Sequence, residues 1–181
     1  MQRKRLDLNA VYISERVQKC LHAIADSALT AVVAPMGYGK TTAVNWFLAE
    51  QSRVENALVV RVSIYSENLQ VFWKSLQNAI AAAGLNELDG CDCPQDASGA
   101  SMLLDDLCAA LQGGRACYLF LDDFHLLQDD RAADFLCALA GRLPDNAHLI
   151  VASRNRIVPG REVVRLGRRL HRVETDQLRL N

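Results

Sequence analysis

Residues Ala34-Pro35-Met36-Gly37-Tyr38-Gly39-Lys40-Thr41-Thr42 decide the fold of this chain. They follow a short β-branched run, Leu29 to Val33, and they lead into a helical pattern from Lys40 to Gln51. Gly37 and Gly39 allow the backbone to aim its N–H groups inward. The helix that begins at Lys40 adds the positive end of its dipole. A strand, a glycine-rich turn and a helix in this order predict a loop that binds phosphate groups.

The same residues match the P-loop pattern G-x-x-x-x-G-K-[ST], except that Ala34 replaces the first glycine. In this pattern Lys40 can reach the β and γ phosphates of a nucleotide, and Thr41 can coordinate Mg²⁺ through its hydroxyl. Thr42 can hydrogen-bond the α-phosphate. The predicted nucleotide-binding residues are Pro35, Gly37, Tyr38, Gly39, Lys40, Thr41 and Thr42. The alternative is a glycine-rich turn without a ligand, for which Lys-Thr-Thr at a helix start has no structural purpose.

Two carboxylates follow the apolar run Tyr118 to Leu121. In an open α/β sheet, ligands lie outside the carboxyl ends of the strands, so Asp122 and Asp123 are expected beside the phosphate loop. Asp122 is the predicted Mg²⁺ ligand together with Thr41. Asp123 is placed to polarise an attacking water, although an aspartate after a strand also serves as a helix N-cap. His125 is expected to hydrogen-bond near the site rather than act as a catalytic base.

Arg154 follows another apolar run, His148 to Ala152, and is the second predicted catalytic residue. Its guanidinium could stabilise charge on a γ-phosphate, or it could be an ordinary surface arginine. Seven arginines and one acidic residue lie between Arg154 and Arg172. Neither aromatic residues nor a recognition motif accompany them, so we expect a solvated or domain-facing surface there rather than a nucleic-acid site.

Strand and helix patterns alternate along the chain. The strands are continuous apolar runs, which indicates a sheet covered on both faces, and their separation by helical stretches indicates parallel βαβ units. We therefore predict a three-layer α/β sandwich with a mainly parallel sheet. It is one domain overall, with an N-terminal segment and helix at residues 1–28 that flank the nucleotide site, and a core at residues 29–181. Helices are predicted at 13–24, 40–51, 68–83, 101–111 and 131–143, strands at 29–33, 57–63, 117–121 and 148–152, and a surface loop at 84–100.

The amino-acid composition excludes several classes of protein. The 181 residues are 50% apolar with four prolines, unlike a disordered or collagen-like chain, and the net charge of −1 excludes a uniformly basic nucleic-acid binder. We find no apolar run of about 18 residues and no signal peptide, so neither a membrane span nor secretion is expected. The six cysteines include Cys91 and Cys93, which lack a second pair at zinc-ligand spacing. A reduced cytoplasmic protein is the expectation.

Several segments in a fixed order carry a resemblance to a known family. They are Leu6-Asp7, the helix with Arg16, APMGYGKTT, Val71-Phe72-Trp73, LFLDDFHLL and HLIVASRN. This set resembles the nucleotide-binding domain of the large ATP-binding LuxR-type transcriptional regulators, which belong to the STAND class of signal-transduction ATPases. The resemblance implies a P-loop NTPase fold, ATP or ADP with Mg²⁺ as ligands, and self-association through this domain. It also assigns Asp122 and Asp123 to the Walker B position and Ser153-Arg154 to a sensor.

The sequence departs from the family at several points. An arginine of the adenine-side helix is replaced by Ser14, with Arg16 nearby, and Asp176 to Leu180 resembles the entry into a further helical segment. The chain then stops, which suggests a fragment or a natural truncation. Because the resemblance places DNA recognition in parts that lie further along, this fragment is not expected to bind DNA specifically.

Three functions are consistent with these features. The first is a nucleotide-operated switch that hydrolyses ATP slowly. The second is a free-standing P-loop kinase or NTPase acting on a small substrate, and the third is an interaction domain that binds nucleotide without turnover. Intact Lys40, Thr41, Asp122 and Asp123 favour the first over the third.

Overall fold

The computed structural model describes residues 12–179, and all that follows concerns this part of the chain. The strands are β1 Leu29–Val33, β2 Leu58–Ser63, β3 Cys117–Asp122, β4 Ala147–Ser153 and β5 Leu170–Glu174. The α-helices are α1 Glu15–His22, α2 Lys40–Glu55, α3 Leu69–Ala82, α4 Ala97–Leu111, α5 Asp130–Arg142, α6 Gly160–Leu166 and α7 Thr175–Leu178. Short 3₁₀ turns follow α1, β3 and α6.

The five strands form one parallel sheet in the order β2-β3-β4-β1-β5. Val33 at the end of β1 pairs with Ser153 at the end of β4, and Ser63 pairs with Asp122. The carboxyl ends of the strands therefore lie at one edge of the sheet, where the phosphate loop also begins. The predicted parallel α/β fold is confirmed.

Helices cover both faces of the sheet, which makes three layers. One apolar core lies between the sheet and α3, α4, α5 and α6, and it contains Trp73, Leu104 and Leu139. The second lies between the sheet and α1, α2 and α7, and it contains Phe47 and Leu178. Each fully buried aliphatic or aromatic side chain stabilises the fold by about 1.5–3 kcal/mol. The continuous apolar strands are thus explained, because both faces are buried.

The segment predicted as a surface loop is partly buried. Leu88 and Cys93 belong to the first core, and α4 begins at Ala97, several residues earlier than expected. The indole N–H of Trp73 donates to the carbonyl of Cys91 at 2.9 Å, and the amide of Gln77 donates to the carbonyls of Leu88 and Cys91. The indole N–H of Trp73 and the amide of Gln77, both on α3, therefore supply the hydrogen bonds that allow this loop to pack against the core.

The arginine-rich segment contains two elements that the sequence did not indicate, α6 and β5. β5 pairs with β1 along its whole length, and Val173, its fourth residue, is fully buried. These two elements were therefore missed from the sequence, although most arginines of the segment have exposed side chains, as expected for a solvated surface. Among the described residues, no helix combines the length and apolar character needed to cross a membrane.

Residues 1–28 were predicted as a segment with a helix that flanks the nucleotide site, within one domain; residues 1–11 lie outside the described part. The remainder forms α1 and a 3₁₀ turn that ends at Asp26. Ser14 caps α1 by accepting the N–H of Val17 through its side chain. Val17 and Leu21 are buried in the second core against α2, so this segment packs as part of the same body as the sheet.

Candidate functional site

The phosphate loop has the backbone conformation that its glycines predict. Gly37 and Gly39 have φ angles of +87° and +73°, a region that side chains with a Cβ disfavour. Gly39 is also the residue that precedes the first turn of α2. Ala34 does not have a positive φ angle, and its backbone N–H donates to the carbonyl of Ser153 at 3.2 Å. Alanine is therefore tolerated where the P-loop pattern has glycine.

Lys40 turns back into the loop. Its ammonium donates to the carbonyl oxygens of Ala34 at 2.6 Å and Pro35 at 2.9 Å, and the residue is only 9% exposed. Burial and the nearby Arg154 lower its pKa, while Asp122 and Asp123 act in the opposite direction. A partly desolvated cation held among backbone dipoles interacts strongly with phosphate oxygens, because little water screens it.

Thr41 and Asp122 meet although they are 81 residues apart in the chain. The hydroxyl of Thr41 donates to Oδ2 of Asp122 at 2.7 Å. The other carboxylate oxygen, Oδ1, accepts the backbone N–H of Asp123 at 2.9 Å. Asp123 has a φ of +57°, an uncommon conformation for a residue with a side chain. This turn ends β3 sharply and leaves the carboxylate of Asp123 exposed at the edge of the sheet.

The pair Thr41 and Asp122 fits a magnesium ion. Both side chains offer oxygen atoms, which are the donors that Mg²⁺ prefers, and Mg²⁺ commonly binds through one or two carboxylates while keeping several waters. The two side chains already lie within hydrogen-bond distance of one another beside the phosphate loop. These two residues, the ligands predicted from the sequence, would hold the ion.

Arg154 lies between the phosphate loop and the acidic strand end, because β4 lies between β1 and β3. Its guanidinium donates to the sulfur of Met36 at 3.3 Å, and its backbone N–H donates to Nδ1 of His125 at 3.4 Å. Burial and the cations Arg154 and Lys40 lower the pKa of His125, against the opposing effect of Asp123. When the imidazole ring of His125 is neutral, its Nδ1 can accept the backbone N–H of Arg154. His125 is thus a hydrogen-bonding residue beside the site.

A cleft of about 360 Å³ opens beside the phosphate loop. One wall is the loop and the start of α2, the second is the segment leading into α1, and the third is the end of α7. The lining residues are Tyr12, Ile13, Ser14, Val17, Gly37, Tyr38, Gly39, Thr42, Ala43, Leu178 and Arg179. The wall is mainly apolar away from the glycines, which suits a flat ring system next to a phosphate chain.

Arg16 does not line this cleft. Its guanidinium instead donates to the main-chain carbonyls of Asp176 and Arg179, at the end of α7. The sequence suggested that Arg16 substitutes for an arginine on the adenine side of the nucleotide. In the structure it joins α1 to α7, and Ser14 is the residue of the pair that faces the cleft.

The structure therefore gathers the predicted site residues at one edge of the sheet, with Lys40, Thr41 and Asp122 in direct contact with one another or with the loop. Sequence reasoning missed Met36, which contacts Arg154, and the cleft residues Leu178 and Arg179. An exposed methionine in the loop carried no sequence signal. Leu178 did carry a sequence signal, because it is an apolar residue among polar neighbours, but the residues that it contacts lie at the other end of the chain.

Comparisons with known proteins were made on sequence and on structure. A search among curated proteins found no similar sequence. Among solved structures, Cdc6p from Pyrobaculum aerophilum is 14% identical with a TM-score of 0.59, covering 95% of this chain and 49% of that one. A structure of Drosophila ORC bound to DNA is 15% identical with a TM-score of 0.55, covering 88% and 86%. C. elegans PCH-2 is 14% identical with a TM-score of 0.51, covering 91% and 44%.

These similarities concern the fold, and the chain spans about half the length of the Cdc6p chain. The sequence itself also matches a family model, described as AAA domain, over residues 24–153. The matched range begins before β1 and ends with β4. It thus includes the phosphate loop, Asp122 and Asp123, and it covers well over half of the chain. The chain belongs to the AAA domain family of P-loop ATPases.

Proposed function

We propose that this chain is a Mg²⁺-dependent switch module that binds ATP and ADP and hydrolyses ATP slowly, as part of a signal-responsive LuxR-type transcriptional regulator. Membership of the AAA domain family implies nucleotide binding, usually with Mg²⁺. The observation that carries the proposal is the 2.7 Å contact between Thr41 and Asp122 beside the buried Lys40. These residue types in this arrangement are those of a nucleotide and magnesium site.

Each site residue has a role in the proposal. Backbone N–H groups of the loop and the Lys40 ammonium bind the phosphates, and Lys40 exchanges its two carbonyl partners for phosphate oxygens. Bound Mg²⁺ would neutralise charge on the β and γ phosphates, with Thr41 and Asp122 as its protein ligands. Asp123 accepts a proton from the attacking water or orients it, which is the task of an exposed carboxylate at this edge.

Arg154 is proposed to sense the γ-phosphate. Its guanidinium lies against Met36, a residue of the loop that surrounds the phosphates, and its main chain is tied to His125 after β3. A terminal phosphate would attract the guanidinium more strongly than a thioether does. The position of Arg154 would then differ between the ATP and ADP states. Such a difference is what a switch needs, and self-association through this domain is its proposed output.

The LuxR-type assignment rests on the ordered motifs LFLDDFHLL and HLIVASRN and on their placement. The first contains Asp122 and Asp123, and the second contains Arg154 just before its last residue, on strands that lie side by side. A P-loop pattern alone would support only the wider class. The ordered set, with the helix that contains Val71, Phe72 and Trp73, supports the narrower proposal.

Specific DNA binding is not part of the proposal for these residues, although one structural neighbour is described as bound to DNA. Most arginines of the basic segment have intramolecular partners. Arg156 pairs with Glu174, Arg161 with Asp134 and Arg165 with Glu162, and Arg169 donates to carbonyls at the end of α5. Charge that is already paired attracts phosphates less than a free basic patch does.

Single-turnover hydrolysis tests the proposal against its alternatives. ATP is mixed with excess protein, with Mg²⁺ or with EDTA, and with or without a panel of small hydroxyl and amine acceptors. We expect phosphate release that requires Mg²⁺, is slower than the typical enzyme rate of about 10 per second and is unchanged by the acceptors. Transfer of phosphate to an acceptor would instead support a kinase, and binding without release would support an interaction domain.

A further inference from the structure

Arg16 connects the first and last described helices. Its guanidinium, on α1, donates to the carbonyl oxygen of Asp176 at 2.9 Å and to that of Arg179. The first of these contacts joins residues 160 positions apart. A helix as short as α7 leaves most of its carbonyl groups without intrahelical partners, so a planar donor with several N–H groups matches this helix end.

α7 has few other anchors. It consists of four residues, and its start is held by a capping box between Glu174 and Gln177. Leu178 is 5% exposed and lies in the second core. A helix of this length is not stable on its own, so its position is set by tertiary contacts. Among the described residues, those contacts include the burial of Leu178 and the two hydrogen bonds from Arg16.

The position of α7 determines the shape of the cleft beside the phosphate loop. Leu178 and Arg179 form one wall, and Ser14 and Val17 form the wall next to it. The phosphate loop lies on the remaining side, where it is fixed by β1 and α2. A shift of α7 would therefore move the wall formed by Leu178 and Arg179, while the phosphate loop would keep its position.

We infer that Arg16 is a positioning residue that fixes the wall of the cleft against the base and ribose of the bound nucleotide. It thereby sets the affinity for the nucleoside part and not for the triphosphate part. This inference rests on the proposed function, because it takes the cleft to be the nucleoside end of an ATP site. The interaction is with main-chain carbonyls, so the side chain of Asp176 is not required.

The test compares two ligands and three variants by calorimetric titration. Mg²⁺-ATP and Mg²⁺-tripolyphosphate are titrated into the parent protein, Arg16→Ala, Arg16→Lys and Asp176→Asn. We expect Arg16→Ala to weaken ATP binding about tenfold while tripolyphosphate binding stays within about twofold of the parent. Arg16→Lys should recover part of the loss, since an ammonium can reach one carbonyl. Asp176→Asn, the matched control, should behave as the parent.

An equal loss for both ligands, or no loss for either, in Arg16→Ala would overturn the inference. A parent protein that binds neither ligand would contradict the proposed function instead. Hydrogen exchange on the parent decides the matter if Arg16→Ala does not fold. The amide of Arg179, which donates to Thr175 at 3.1 Å, should exchange more slowly with ATP than with tripolyphosphate. Equal protection by both ligands would contradict the inference.

Discussion

Asp122 uses its two oxygens for different purposes. Oδ2 accepts the hydroxyl of Thr41 and Oδ1 accepts the backbone N–H of Asp123, in a turn where Asp123 has a positive φ. One carboxylate thus reaches the phosphate loop and also holds the turn that presents the next carboxylate. Aspartate tolerates a left-handed conformation better than most residues, which makes the sequence Asp-Asp suitable here.

The two aspartates should therefore respond differently to removal of charge. Asp123→Asn should slow single-turnover hydrolysis about 100-fold and leave ATP affinity nearly unchanged, because the loss falls on the transition state. Asp122→Asn should reduce the gain in ATP affinity that Mg²⁺ provides. Asp106→Asn, an exposed acid on α4, is the matched control. Parent-like hydrolysis in both site variants would show that this strand end is misassigned.

At the residue level, much of the site could be predicted from short motifs. Lys40, Thr41 and Asp122 carry charge or oxygen atoms at a fixed place relative to a strand or helix end, and that place is visible in the sequence. Met36 and Arg16 could not be assigned in this way. Their partners are chosen by side-chain direction and by contacts between distant segments, which the sequence pattern does not specify.

The end of α5 illustrates how distant arginines complete a helix. Arg169 donates to the carbonyls of Gly141 at 3.0 Å and Leu143 at 2.7 Å, and Arg165 donates to the carbonyl of Cys137 at 2.9 Å. The carbonyls of Gly141 and Leu143 lie at the end of this helix, where carbonyl groups lack intrahelical partners and carry partial negative charge, whereas the carbonyl of Cys137 lies about one turn earlier. The arginines therefore connect the segment around α6 to the first core, and they are structural.

Removal of this contact should destabilise the fold. We expect Arg169→Ala to lower the free energy of unfolding by about 1 kcal/mol, since hydrogen bonds from a charged group are lost at a partly solvated site. Arg168→Ala, an exposed neighbour, should change it by less than about 0.5 kcal/mol. Urea unfolding followed by circular dichroism measures both. Equal stabilities of the two variants would mean that the α5 contact contributes nothing.

Among the elements, β1 to β4 could be predicted because each is a mainly apolar run, although β2 is interrupted by Arg61. β5 could not, because Leu170-His171-Arg172-Val173-Glu174 lies at the sheet edge and keeps polar side chains exposed. The start of α4 was missed for a related reason. Its first turn, after the N-cap Asp96, contains small and polar residues that give no helical period of apolar residues.

For the whole molecule, a buried histidine links stability to pH. His148 is 7% exposed, its ring stacks on Tyr118 with centroids 4.9 Å apart, and its Nδ1–H donates to the carbonyl of Ser27 at 2.7 Å. Burial lowers its pKa below the ordinary value, against a smaller opposing effect of the Ser27 hydrogen bond. The unfolded chain therefore binds a proton at this position at a higher pH than the folded protein does.

This difference in pKa between the folded and the unfolded chain makes the stability of the protein depend on pH. The contribution of neutral His148 to stability is fully present above about pH 6.5, the unfolded pKa, and is lost as pH falls through the folded pKa. Thermal unfolding between pH 7.5 and pH 5 should show a steeper loss of stability for the parent than for His148→Gln. Identical slopes would mean that His148 carries a proton in the folded protein as readily as in the unfolded one.

DNA binding by the whole domain should be weak and nonspecific. Within residues 12–179, attraction would come from exposed arginines such as Arg168 and Arg172, and we identify no element there that would enter a groove. Fluorescence anisotropy with two unrelated duplexes should give similar affinities that fall steeply between about 0.05 and 0.2 M salt. A clear preference for one duplex at about 0.15 M salt, where charges are screened beyond about 8 Å, would contradict this expectation.

The three-layer arrangement of the molecule was predictable, because it follows from strand composition and from the spacing of helices. The cleft beside the phosphate loop was not. Two of its walls come from residues 12–17 and 178–179, which the pairing of β5 with β1 and the packing of α7 on α1 bring together. A contact between residues so far apart in the sequence depends on the completed fold, and no local sequence pattern indicates it.

Binding of Mg²⁺-ATP at the phosphate loop is tested most directly by calorimetric titration. Mg²⁺-ATP is titrated into the parent protein and, separately, into Lys40→Ala. Lys74→Ala, an exposed lysine on α3, is the control. Loss of the Lys40 ammonium removes a buried positive charge from the β and γ phosphates. Affinity should fall at least about tenfold, or about 1.4 kcal/mol, with no change in Lys74→Ala. Unchanged affinity in Lys40→Ala would show that ATP does not bind at this loop.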